Sequence, residues 1–156
     1  MNNPATCTLL VIGYGNDLRG DDAVGPAVAA AVEQMRLDGV RVLIQHQLTP
    51  ELAEPVSRAR AVVFVDAAES GDRTIQIHEL TSADRNGILT HACVPQSLLG
   101  LARTLFGHCP RGWSITIPVE RTAFGEPLSA PASQGAALAV AEIKKIWNRQ
   151  RDESQR

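Results

Sequence analysis

A chain of 156 residues with 15 Lys plus Arg against 17 Asp plus Glu, a formal net charge of -2, lacks the concentrated basic surface of a nucleic-acid or anionic-membrane binder. Its length lets one core bury roughly two-thirds of the surface that the unfolded chain exposes, so neither a disulfide nor a structural metal is required for folding. The three cysteines, Cys7, Cys93 and Cys109, have no C-x-x-C spacing, the amino terminus lacks signal-peptide character, and no apolar run approaches the roughly 20 residues of a membrane span. A soluble cytoplasmic protein with reduced thiols is expected.

Cys7 to Ile12 is almost wholly apolar, the pattern of a strand covered on both faces, and is assigned as the central first strand. It runs into a glycine-rich turn, Gly13 to Gly25, that carries Asp17, Asp21 and Asp22. Beyond it Pro26 suits a first helical turn, and Val24, Val28, Val32 and Met35 recur at helical spacing until Gly39. Arg41 to His46 reads as a second strand, followed by a short helix to about Arg58 with Thr49 as its cap. Ala61 to Val65 is the most continuous apolar run in the chain and stops at Asp66, which predicts a buried parallel strand with a carboxylate at its carboxyl end.

Thr74 to Glu79 alternates like a half-exposed strand at a sheet edge, possible in antiparallel pairing, and a polar loop from Thr81 to Thr90 leads to His91. Pro95 opens a helix ending near Gly107, Trp113 to Val119 alternates as a strand, and Pro118 puts that strand at an edge or an end. From about Pro131 the spacing of Ala136, Val140, Ile143 and Trp147 predicts a last packed helix, after which residues 149–156 have nothing apolar to bury and are expected to fray. Alternating strands and helices imply one domain over 1–148, an α/β fold built as a three-layer α/β/α sandwich with a mainly parallel, twisted sheet of about five strands.

The glycine-rich turn is not a dinucleotide fingerprint, because Leu18 stands where the third glycine of G-x-G-x-x-G belongs and three acids replace the surroundings a pyrophosphate needs. No Gly-Lys-Ser/Thr follows, which removes the P-loop as well. The acids themselves are then the candidate chemistry. Asp22, Asp66 and His91 fall at or just beyond the carboxyl ends of strands, where an open α/β sheet binds ligands. Two carboxylates and an imidazole suit a divalent transition ion such as zinc or nickel. Against this stands the ordinary fate of loop aspartates, which cap turns or face water. Cys93, ahead of a helix start and two residues from His91, offers a thiol nucleophile, with an inert half-buried thiol as the simpler reading. His46 ends a strand on the same rim, while His78 and His108 read as surface residues.

Gly15-Asn16-Asp17-Leu18-Arg19-Gly20-Asp21-Asp22-Ala23-Val24-Gly25 resembles the G-N-x-L-x-x-D-[DE]-x-x-G signature of the hydrogenase maturation proteases. The similarity continues through Phe64-Val65-Asp66-Ala67, Thr90-His91, Thr116-Ile117-Pro118-Val119-Glu120 and Phe124-Gly125-Glu126-Pro127-Leu128-Ser129. The resemblance implies an endopeptidase that trims the C-terminal extension from a nickel-iron hydrogenase large-subunit precursor, monomeric in isolation. It makes Asp22, Asp66 and His91 the nickel-contacting residues, with Asp22 and Asp66 also catalytic and Asn16, Asp21 and His46 placed for substrate recognition. The nickel is the precursor's own, not a resident cofactor, and zinc or cadmium could substitute for it in crystals. Asp21 would support the loop or tune Asp22. Two departures stand out: His46-Gln47-Leu48-Thr49 replaces the Asp-Gly-Gly-Thr of many members, and the segment after His91 is longer. A nickel carrier without protease activity, or a thiol hydrolase using Cys93 with His91, are the competing functions.

Overall fold

The computed structural model of the protein describes residues 7–69, 73–81, 93–120 and 122–156. Five strands, β1 (Cys7–Tyr14), β2 (Val40–Gln45), β3 (Ala59–Ala68), β4 (Gln76–Leu80) and β5 (Arg111–Pro118), form one sheet in the order β2-β1-β3-β5-β4. All neighbours are parallel except β4, which pairs antiparallel with β5 at the edge. The helices are α1 (Val24–Gln34), α2 (Ala53–Ser57), α3 (Pro95–Phe106) and α4 (Ala130–Ser154).

The period of two in the strands sorts their side chains into two cores. Leu9, Val11, Val63, Val65, Ile115 and Ile117 face α1 and α4, which present Val24, Val28, Val32, Ile143, Ile146 and Trp147. Leu10, Ile12, Val62 and Phe64 face α2 and α3, which present Val56, Leu98, Leu99 and Ala102, with Leu52 added from the 3₁₀ turn before α2. Both faces of β1 and β3 are therefore covered, which is why these strands read as unbroken apolar runs. The layers and the mainly parallel sheet agree with the sequence expectation.

Several boundaries move. The first helix stops at Gln34 instead of Gly39, because Arg36 and Gly39 adopt positive φ values of 49° and 73° that turn the chain into β2. Strand β3 does not end at Asp66 but continues to Ala68, paired along β5 from Ala61↔Arg111 to Ala68↔Pro118. Pro118 lies at the end of β5, where the missing N–H costs no interior ladder bond. Thr49 stands at the cap position without a side-chain cap bond, its hydroxyl engaging Glu51.

The expected fraying from residue 149 is overturned: α4 runs to Ser154, past the 148 boundary. Gln150 is buried, the Arg151 guanidinium lies 4.6 Å from the Trp147 ring, Arg111 pairs with Glu153 and Arg60 bonds Ser154. Polar contacts hold this last stretch, and such contacts leave no apolar signature. Among the described residues no helix is long and apolar enough to cross a membrane.

Where α1 begins, Gly25 sits against the carboxyl ends of both β1 and β3. A Cβ there would lie 2.5 Å from the Tyr14 carbonyl oxygen and 2.6 Å from that of Val65, both main-chain atoms that cannot step aside. Gly25→Ala is expected to lower stability by about 2 kcal/mol through forced separation of helix and sheet, read as a fall in urea midpoint with unchanged slope.

Candidate active site

The acids gather at the carboxyl edge of the sheet. A 3₁₀ turn, Gly20–Ala23, carries Asp21 and Asp22 between the end of β1 and the start of α1. Gly15 adopts φ 147°, and a Cβ there would meet the Asp22 carbonyl oxygen at 2.1 Å, so only glycine lets the turn fold back this closely. The turn is held from within: Arg19 N–H donates to the Asn16 carbonyl at 3.1 Å and Asp22 N–H to that of Arg19 at 3.0 Å.

Asn16, expected to take part in substrate recognition, holds the loop together. Its side-chain oxygen accepts from Leu18 N–H at 3.0 Å, an Asx turn, and its own N–H donates to Asp22 Oδ2 at 2.8 Å. That second bond fixes one oxygen of the Asp22 carboxylate, a group that is itself only partly buried.

Asp66 reaches the same place from β3. Burial first, with the Asp22 charge as a smaller contribution, holds its carboxyl up to about 6, against the opposing pull of the Ala67 N–H and the Tyr14 hydroxyl. The Tyr14 hydroxyl is itself held above the ordinary phenol range, by burial and then by Asp66 and Cys93, so it remains protonated and donates to Asp66. Two like charges thus share a partly desolvated rim, each with a fixed hydrogen-bond donor.

Asp21 has the opposite fate from its neighbour. It is fully buried, and its carboxylate accepts from Glu120 N–H at 2.8 Å, Ser129 N–H at 2.7 Å and the Ser129 hydroxyl at 2.7 Å. The expectation that Asp21 meets substrate is corrected: it pins the segment after β5 across the acidic loop. Gly125 N–H to the Leu18 carbonyl at 3.0 Å and Arg19 Nε to the Thr122 carbonyl at 3.3 Å extend this latch, and the Arg19 guanidinium lies 5.7 Å from the Phe124 ring centre. Ser129 Oγ also accepts from Ala132 N–H at 3.2 Å, capping α4.

The chain matches no protein-family model and no curated protein sequence. Solved structures do match. The hydrogenase maturating endopeptidase HybD from E. coli superposes with a TM-score of 0.69 at 20% identity, over 91% of this chain and 93% of that one. The hydrogenase 2 maturation peptidase from a Thaumarchaeota archaeon gives 0.67 at 22% identity, over 89% and 97%. The fold is that of the hydrogenase maturation peptidases. An uncharacterized protein from Wolinella succinogenes shares it at 28% identity and a TM-score of 0.63, over 90% and 96% of the two chains.

Within this maturation-peptidase fold, His46 is exposed just beyond β2 at the same end of the sheet, its strand tied to the loop by Gly15 N–H donating to the Gln45 carbonyl at 3.1 Å. His91 lies outside the described residues. Among the described residues no group of three or more His, Cys, Asp or Glu is placed to hold a metal ion by itself. Asp22 and Asp66 are the two carboxylates that the described residues bring together there. Cys93 packs beside the cluster under α3, and burial first, then Glu51, pushes its thiol up, away from the thiolate that a nucleophile requires. His108, read from sequence as a surface residue, hydrogen-bonds the Ala59 carbonyl at 3.0 Å and ties the α3–β5 loop to the start of β3. Sequence reading also missed Tyr14, whose partnership with Asp66 depends on strand register alone.

Proposed function

We propose that this chain is the endopeptidase that removes the C-terminal extension of a nickel-loaded nickel-iron hydrogenase large-subunit precursor. The observation that carries the reading is the convergence of Asp22 and Asp66, each with a donor fixed on its carboxylate, at the carboxyl edge of a maturation-peptidase fold. The sequence resemblance adds the imidazole of His91 to these two carboxylates, a mixed oxygen and nitrogen set suited to nickel, and the ion they would meet is part of the substrate.

Peptide hydrolysis needs a group to take a proton from the attacking water and return it to the leaving amine. Before the substrate metal arrives, burial holds the Asp66 carboxyl up to about 6, and this partly desolvated carboxylate is the group proposed for that task. Asp22, held by Asn16 N–H, then orients and balances charge beside it.

The test is mass analysis of purified precursor incubated with this protein. Loss of the C-terminal segment is expected from nickel-loaded precursor only. Tight nickel retention with no cleavage would replace the reading with a carrier function. Cys93→Ser is expected to process at the wild-type rate; a loss beyond 100-fold would restore the thiol hydrolase.

A further inference from the structure

We propose that Tyr14 is a positioning residue for Asp66, holding its carboxylate in the orientation that meets the substrate metal beside Asp22. This rests on the endopeptidase reading for the identity of the substrate, and on strand geometry for everything else.

The register Gly13↔Val65 places Tyr14 and Asp66 one step further along adjacent parallel strands, and the period of two puts both side chains on the α2/α3 face of the sheet. The Tyr14 ring packs on the cluster that contains Ile12, Phe64 and Leu98, which fixes where its hydroxyl points. Its main chain has no freedom either. Gly25 approaches the Tyr14 carbonyl oxygen so closely that a Cβ would sit at 2.5 Å, and Gly15 N–H holds the next residue to Gln45. The phenol is therefore a rigid donor aimed at the Asp66 carboxylate, and it adds a second anchor to the one that the Ala67 N–H supplies.

Rotation matters here because a like charge stands beside Asp66. Without a donor, the lowest-energy arrangement of two carboxylates turns them apart, towards water, whereas a shared cation needs them turned together. Asn16 N–H restrains Asp22 in the same way from the other side. Hydrogen bonds to a metal-binding carboxylate from behind commonly carry 10- to 100-fold in affinity or activity.

Tyr14→Phe keeps the ring and removes only the donor. Binding of the full chain to nickel-loaded and nickel-free precursor, measured by biolayer interferometry, is the readout, with thermal melting as the control for folding. The expected result is roughly 10-fold weaker binding of loaded precursor, unchanged binding of nickel-free precursor, and no further loss when Tyr14→Phe is added to Asp66→Asn. Equal losses in both backgrounds would overturn the proposal, since Tyr14 would then touch the precursor directly, and so would an unchanged affinity. Wild-type protein that binds loaded precursor without cutting it sinks the endopeptidase reading while the Tyr14 comparison stands. Wild-type protein that cuts normally while Tyr14→Phe matches it in affinity sinks only the positioning role. Absence of any binding by wild type overturns both.

Discussion

Asp66→Asn is expected to abolish cleavage of nickel-loaded precursor and, at the same time, to raise the melting temperature by a few degrees at neutral pH. The two effects share one cause. The Asp66 carboxyl sits at about 6, above its ordinary 3.8, chiefly because burial penalises its charge. Folded protein therefore binds more protons than unfolded protein between these values, and stability falls as pH rises through that window. Below about 4 the group is neutral in both states and costs nothing; above about 6 the full cost of the buried charge is present. Because Asp66 is partly exposed, solvent screening reduces that cost to roughly 1–2 kcal/mol. Asparagine is neutral throughout and still accepts from the Tyr14 hydroxyl. Melting curves of wild type and variant should thus separate at pH 7 and converge at pH 4, with processing read by mass at pH 7. A variant that is less stable at pH 7, or that cuts at the wild-type rate, contradicts the assignment.

Asp21→Ala is expected to act almost wholly through structure, and strongly. It removes the acceptor for Glu120 N–H, Ser129 N–H and the Ser129 hydroxyl from a fully buried position, leaving orphaned donors and a void. A loss of about 3–5 kcal/mol follows from these unsatisfied groups. Asp21→Asn should recover little of it, since a single amide oxygen faces three donors. Urea melts measure the loss, and amide exchange locates it: Glu120 and Ser129 should become the first of their neighbours to exchange. Processing should decline with the folded fraction and recover where the variant is fully folded, unlike the Asp66 case.

These two aspartates mark where the sequence could be read and where it could not. The apolar run into Asp66 declared a buried strand with an acid at the site, although pairing with β5 carries that strand two residues beyond the acid. Asp21 and Asp22 are identical neighbours, and nothing in composition or period separates the buried pin from the carboxylate on the rim. The 3₁₀ turn does so by pointing them in different directions. Tyr14, between two glycines, carries no signal of its own, because its partner is set by the β1–β3 register, which one sequence does not display. The end of α4 was misread for a related reason: Gln150, Glu153 and Ser154 are held by polar contacts that a search for apolar spacing passes over.

The latch between Asp21 and Ser129 also orders events in time. Its partners are 108 residues apart in sequence, and Trp147 Nε1 donates to the Asp38 carbonyl across 109. Contacts of such span carry a large loop-closure cost, which slows the folding of the whole domain. The acidic loop has bonds of its own among Asn16, Arg19 and Asp22, but its tie to the segment that leads into α4 waits on that long closure. A form cut before Ser129 would therefore display the signature loop without its latch, and the amides of that loop would exchange faster than in the whole domain.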